Sequence, residues 1–198
     1  MSTTRQHTDP QVIEPRSDAE RTEMRKLGLL DEHGEPLLPS IGDDPARARS
    51  VAKRVIQNPS VLNEAYDYER PSSFSRGLSV EIKAGTSFLW ISGTASIDEN
   101  GETIHVGDIR AQCWRTWRNI SELLQSRRAT WHDIVRTTCY LRDIERDYKD
   151  FNEVRTHFFA MQKLDPLPAS TGIQARLCRE DLLVEIEAIA LLQNTAGA

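Results

Sequence analysis

The sequence predicts an α+β fold: a mixed β-sheet with two long helices packed on one face, preceded by a helical N-terminal extension. Three observations carry this. From residue 72 onward, strand-like and helix-like stretches follow in the order β-β-(β)-α-β-α-β-β. Each helical stretch has one apolar stripe, so each has one face to bury. The first 70 residues hold Pro10, Pro15, Pro36, Pro39, Pro45 and Pro59, six of the nine prolines, with too few apolar positions to build a sheet.

In that N-terminal region Asp18 is positioned to cap a helix from about Ala19 to Leu30, with Glu20 and Glu23 near its positive end. Asp44 and Pro45 predict a second short helix reaching Gln57. Residues 1 to 15 are expected to be disordered. Phe74 to Ile82 alternates, and TSFLWI (86–91) is a β-branched and aromatic run ending in Ser92-Gly93-Thr94, so both read as strands. Asp98-Glu99-Asn100-Gly101-Glu102 marks a hairpin turn.

Asp108 then caps a helix of about 19 residues, in which Ile109, Cys113, Trp117, Ile120 and Leu124 recur at helical spacing. Trp114 and Trp117 differ by about 60° in direction around the helix and cannot both point straight at the sheet, so at least one is expected to meet another subunit or the extension. IVRTTCYL (134–141) reads as a strand, Asp143 opens a turn, and Asp147 to Met161 is an amphipathic helix bearing Tyr148, Phe151, Val154 and Phe158. Ala169 to Leu177 and Leu182 to Leu191 finish as strands, the last apolar enough for a central strand covered on both faces.

Of the 198 residues, 25 are Lys or Arg and 30 Asp or Glu, giving a net charge of −5. No global positive field attracts nucleic acid or an anionic membrane, and no apolar run reaches the roughly 20 residues of a membrane-spanning helix. The start lacks an apolar targeting segment, which predicts a cytoplasmic protein. Cys113, Cys139 and Cys178 are far apart and the five histidines are scattered. Neither a disulfide framework nor a metal site is expected, and without a glycine-rich phosphate loop no nucleotide cofactor is expected.

The segments SGTASID (92–98), GDIRAQCWRTWRNISELL (107–124), DIVRTTCYLRDI (133–144), DFNEVRTHFF (150–159), LPAS (167–170) and VEIEAIA (184–190) together resemble the Rid (YjgF) superfamily, whose fold is shared in outline with a trimeric chorismate mutase. The resemblance covers about residues 72–192. It divides the chain into an extension (1–70) with one or two short helices, a Rid-like domain (71–192) and a tail (193–198). It implies a homotrimer with sites between subunits and a small-molecule carboxylate as ligand. Imine-deaminating members read PAR where this chain reads PAS, and their Arg binds the substrate carboxylate; Ser170 cannot supply that charged fork. PASTGI, PSSFSRG (71–77) and CREDLLVEIEA (178–188) look more like the catalytic half of chorismatases, which remove pyruvate from chorismate.

Glu185 and Glu187 are two apart on a strand and point the same way. Glu185 matches the superfamily's active-site Glu and is the first candidate for a general acid protonating an enolpyruvyl methylene; the competing reading is an interface ion pair. Cys178, seven residues earlier, resembles the Cys of hydroxybenzoate-forming chorismatases. Arg76, Arg142, Arg155 and Arg176 are candidate carboxylate anchors, each equally readable as a surface charge. Tyr140 is a candidate to orient a ring hydroxyl. Ser92, Gly93 and Thr94 resemble the superfamily pocket floor, with Ser170 and Thr171 completing the candidate binding set. The alternatives are an imine or enamine deaminase with a changed anion anchor and a non-catalytic metabolite-binding homologue. The ribonuclease labels attached to this superfamily gain little from an acidic chain with no basic stripe.

Overall fold

The computed structural model describes residues 13–37, 51–56, 64–69, 72–75 and 77–193. The expected tail beyond Gln193, most of the N-terminal segment expected to be disordered, and Arg76 lie outside these residues. Four strands form the main sheet: β3 (Thr86–Ala95), β4 (Ile134–Leu141), β5 (Ala169–Gln174) and β6 (Val184–Gln193), in the order β3-β6-β4-β5. β6 is antiparallel to both neighbours, and β4 runs parallel to β5. A small antiparallel pair, β1 (Lys53–Val55) with β2 (Leu78–Val80), stands apart. The helices are α1 (Asp18–Lys26), α2 (Ile109–Ser126) and α3 (Ile144–Met161).

The sheet's inner face meets α2 and α3, as the two apolar stripes require. Val184, Ile186, Ala188 and Ala190 of β6 are buried there, with Cys139 and Leu141 of β4 and Cys113, Trp117, Ile120 and Leu124 of α2. Trp117 lies at the centre, stacked on Phe158 of α3 (centroids 5.6 Å apart, planes within 6°) and edge-on to Trp131 at 5.4 Å. β6 is central, as predicted, but only one of its faces is covered by helices. Glu185, Glu187 and Ile189 are half-buried on the other.

Local chemistry explains the helix ends. The Asp108 carboxylate accepts from the Ala111 amide at 2.9 Å, and Asp143, expected to open a turn, caps α3 by accepting from the Arg146 amide at 3.0 Å. The cap of α1 is Ser17, one residue before the expected Asp18: its hydroxyl accepts from the Glu20 amide at 3.1 Å and donates to Asp108, tying two helix starts together. Gly28, at φ +71°, lies beyond the helix end at Lys26, short of the expected Leu30. The short helix expected to run to Gln57 is replaced, over its described part, by β1. Its backbone pairs with residues 78–80, and Lys53 donates to the carbonyls of His132 and Ile134. Ile13, within the segment expected to be disordered, is buried in the main core.

Helix α1 docks on α2 through two fully buried glutamates. Glu20 (0% exposed) accepts from Arg110 Nε at 2.9 Å, from Trp114 Nε1 at 2.8 Å and from the Arg16 amide at 2.8 Å. Glu23 (1% exposed) is held by Arg118 at 2.6 Å and His105 at 3.1 Å, with Lys26 and Arg115 each 4.0 Å away. Arg110, Trp114 and Arg118 are spaced four apart and form one stripe. Trp114 thus meets the extension while Trp117 fills the core.

Burial alone pushes the Glu23 carboxyl up, but hydrogen bonds from His105 and Arg118 and the charges of Arg118 and Lys26 outweigh it and hold the group below its ordinary value. The folded form therefore binds fewer protons than the unfolded form, so this contribution is complete above the ordinary glutamate range and is lost as pH falls through the lowered value. Acidification is expected to destabilise the protein through this docking, and Glu23→Gln is expected to flatten that dependence in denaturant titrations across pH. Glu20→Ala leaves Arg110 Nε and Trp114 Nε1 buried without their acceptor and should cost about 1–3 kcal/mol at neutral pH, read from the same unfolding curves.

Candidate functional site

Strand pleating sends Glu185 and Glu187 to the sheet face away from the helices. On β3 the register breaks between Ile91 and Thr94, so Ser92 and Gly93 form an irregularity opposite the Glu-bearing part of β6. Gly93 is required there: a Cβ at this position would lie 1.9 Å from Glu185 Oε1. The Glu185 carboxylate therefore rests directly over the Gly93 backbone. Thr94 Oγ1 donates to the Ser92 carbonyl at 3.0 Å, bracing the irregularity.

Tyr140 pairs in register with Glu185 on the neighbouring strand. Its phenol is held above the usual value, first by desolvation, then by a hydrogen bond to Glu187 and the charges of Glu187 and Glu185, with Arg136 opposing. Arg136 Nη2 donates to Thr171 Oγ1 at 3.0 Å. A shallow pocket beside them is lined by Trp90, Arg136, Thr138, Glu187 and Ile189. Trp90, 70% exposed, stacks on Phe88, 49% exposed, with centroids 6.1 Å apart. Two carboxylates, a phenol, a guanidinium and two hydroxyls thus share a face with an uncovered aromatic pair. Arg136 and Trp90 are not among the sequence candidates; the polar alternation Arg136-Thr138-Tyr140 along β4 is the signal that marks the first, and the aromatic alternation Phe88-Trp90 along β3 the second.

The other candidates lie elsewhere. Ser170 faces the helix layer, accepting from Thr137 Oγ1 at 2.9 Å, with Arg155 Nη1 of α3 at 3.5 Å. Ser170 stands opposite Thr137, and Thr137 opposite Ala188. Glu185 is thus two strands across and three residues along, roughly 10 Å in each direction and on the opposite sheet face. Within one chain, no small molecule touches both groups. Arg142 is a loop clamp, its guanidinium donating to the carbonyls of Leu182 (2.6 Å) and Arg179, and so is not on the open face as a carboxylate anchor. Cys178 is exposed in the loop after β5. Cys113 and Cys139 are buried, and burial pushes both thiols up, as inert core residues require. Among the described residues no group of three or more potential ligands is arranged to hold a metal ion, and no helix is long and apolar enough to cross a membrane.

Side chains of α2 lock both edges of the site. Asn119 Nδ2 donates to the carbonyls of Ala95 (2.9 Å) and Ile97 (3.0 Å), just beyond Gly93. Gln112 accepts from the Leu183 amide at 2.8 Å and donates to the Asp181 carbonyl at 2.9 Å, just before Glu185. Gly93→Ala is expected to swing the Glu185 side chain aside while leaving the melting temperature nearly unchanged, checked by a crystal structure and a thermal melt. Gln112→Ala should cost about 1–3 kcal/mol in unfolding measurements, because it leaves buried backbone groups at the entry to β6 unpaired.

Comparison with known proteins agrees with this fold. The family model described as Endoribonuclease L-PSP matches residues 71–192. A RutC family protein of Pyrococcus abyssi is 36% identical over 110 residues, covering 55% of this chain and 81% of that protein. The 3-aminoacrylate deaminase RutC of Acinetobacter baylyi is 30% identical over 104 residues, 52% of this chain and 79% of its own. Among solved structures, the Rid-family protein YyfB of Yersinia pestis, itself of unknown function, superposes with a TM-score of 0.59 at 27% identity, covering 71% of this chain and 98% of that one. With the fold and these matches in agreement, the chain belongs to the Endoribonuclease L-PSP family, the Rid (YjgF) superfamily.

Proposed function

We propose that this protein is a Rid-type deaminase that hydrolyses the imine or enamine form of a small amino acid at a site shared between subunits. The observation that carries the reading is the Glu185 carboxylate lying over the Gly93 backbone, in reach of whatever enters the open sheet face. Imine hydrolysis needs one group that moves protons both ways. Glu185 takes a proton from water as the oxygen adds to the carbon of the protonated imine, and the C=N bond becomes a C–N single bond whose nitrogen keeps the displaced electron pair. It then returns that proton to the nitrogen, the C–N bond breaks as ammonia leaves, and the carbinol oxygen gives its remaining proton to the freed Glu185 carboxylate and becomes the carbonyl. An enamine substrate first accepts a proton at its nucleophilic carbon, giving the imine. The named deaminase among the relatives favours this chemistry.

The chorismatase alternative relies on PASTGI, FSRG and the Cys178-to-Glu185 spacing, with Arg142 among its candidate carboxylate anchors. Cys178 is exposed in a loop and Arg142 is engaged with backbone carbonyls, which weakens its motivation. Glu185 and the Ser170 edge are separated by the sheet, so the reading requires a neighbouring subunit to complete each cleft, in line with a homotrimer. The stacked Phe88 and Trp90 supply apolar surface for that contact.

Purified protein is expected to accelerate ammonia release from 3-aminoacrylate or from 2-aminoacrylate generated in situ. Glu185→Gln should lower kcat by about 100-fold or more without changing the melting temperature. Absence of acceleration at high enzyme concentration overturns the proposal, and release of pyruvate from chorismate would establish the chorismatase reading in its place. Sedimentation should give a trimer, and Trp90→Asp a smaller, inactive species.

A further inference from the structure

We propose that Arg155 is the anion anchor of this protein, a buried guanidinium that takes the carboxylate of a small organic acid entering past Ser170 at the sheet edge. The inference deepens the preceding reading and rests on it only for the class of anion.

Arg155 sits on the apolar stripe of α3, four residues after Phe151, and is 2% exposed. Its Nη2 donates to Asn152 Oδ1 at 2.6 Å, Nη1 lies 3.5 Å from Ser170 Oγ, and its guanidinium lies 5.0 Å from the Phe151 ring centroid and 5.8 Å from that of Phe74. Every one of these neighbours is neutral. Among the described residues no carboxylate lies within ion-pair distance of it, and its Nε is buried with no hydrogen-bond partner. Arginine cannot shed its proton to escape such a site, and an isolated buried charge is among the costliest features a fold can carry.

The chain treats its other buried arginines differently. Arg110 meets Glu20, Asp150 and Glu153, and Arg115 faces Glu23. Arg155 alone among these three is left without a counter-charge, so the missing anion is expected from outside. Ser170 is half-buried on the edge strand β5, and its oxygen already accepts from Thr137, which leaves its own proton to donate. A carboxylate at this edge receives the planar guanidinium and the Ser170 hydroxyl together, a geometry suited to two coplanar oxygens.

The test uses pyruvate as the probe, with inorganic phosphate in parallel, on the full chain. Pyruvate is expected to bind and to raise the melting temperature. Arg155→Met should weaken that binding about 10- to 100-fold, while the ligand-free variant melts at or above the wild-type temperature, because an uncompensated charge has gone. Ser170→Asp places a carboxylate beside Arg155, and should raise the melting temperature and abolish the response to pyruvate, which keeps the proposal testable if Arg155→Met does not fold. Equal pyruvate binding by wild type and Arg155→Met, a response retained in Ser170→Asp, or tighter binding of phosphate than of pyruvate would each overturn it. Arg155-dependent pyruvate binding without ammonia release leaves the anchor standing and the deaminase reading fallen; ammonia release unaffected by Arg155→Met does the reverse.

Discussion

The pleat of β6 is the constraint on which the rest depends. Its alternation commits Val184, Ile186, Ala188 and Ala190 to the helix layer and Glu185, Glu187 and Ile189 to the opposite face, and both sheet neighbours, β3 and β4, are hydrogen-bonded to it. A one-residue slip would exchange the two sets, placing carboxylates against Trp117 and Phe158. The register that is easiest to stabilise is therefore also the one that aims Glu185 at Gly93. Packing and chemistry are two faces of the same strand.

Holding that register at its ends falls to α2, an unusual helix in being buried on nearly every side over its first half. Cys113, Trp117 and Ile120 face the sheet, Arg110, Trp114 and Arg118 face α1, and Gln112, Arg115 and Asn119 reach the chain ends of β3 and β6. A helix so enclosed must satisfy each polar group locally. Every such bond ties a loop near the site to a rigid element, so the extension, by covering the outer side of α2, braces the glutamate indirectly.

The long elements were legible in the sequence because each combines a strong period with an explicit end. The α2 stripe and its Asp108 cap, and the apolar run of β6, are both of this kind. Where two cap formers stand side by side, as at Ser17 and Asp18, the choice is made by a tertiary partner, Asp108, which no local pattern reveals. The β1 strand escaped for a related reason: three residues pairing with a segment some 25 positions away carry no period, whereas Asp44-Pro45 carries a helix-start signal. Glu185 and Gly93 were legible as candidates, but that one needs the other to lack a side chain was not, since their contact crosses two strands. Arg155 reads in the sequence as one of several candidate arginines, each as easily a surface charge; its burial and its lack of a counter-charge are visible only in three dimensions.

Charge and geometry together are compatible with the proposal that the open face meets another copy of the chain. Glu185 and Arg155 are on opposite sides of one sheet, so a molecule a few atoms long meets both only if the edge of one sheet is brought against the open face of the next. Helix α1 does not obstruct this. α1 lies against the outer side of α2, with the helix layer between it and the open face, and its acidic groups are already matched by Arg110, Arg118 and His105. What stays uncovered on the other side is Phe88, Trp90 and Ile173, apolar surface flanking the groups that chemistry would use. Burying those side chains against a second subunit would remove them from water and, in the same step, surround Glu185 with a drier medium in which its charge and proton act more strongly. Assembly and activation of the site are, on this arrangement, a single event.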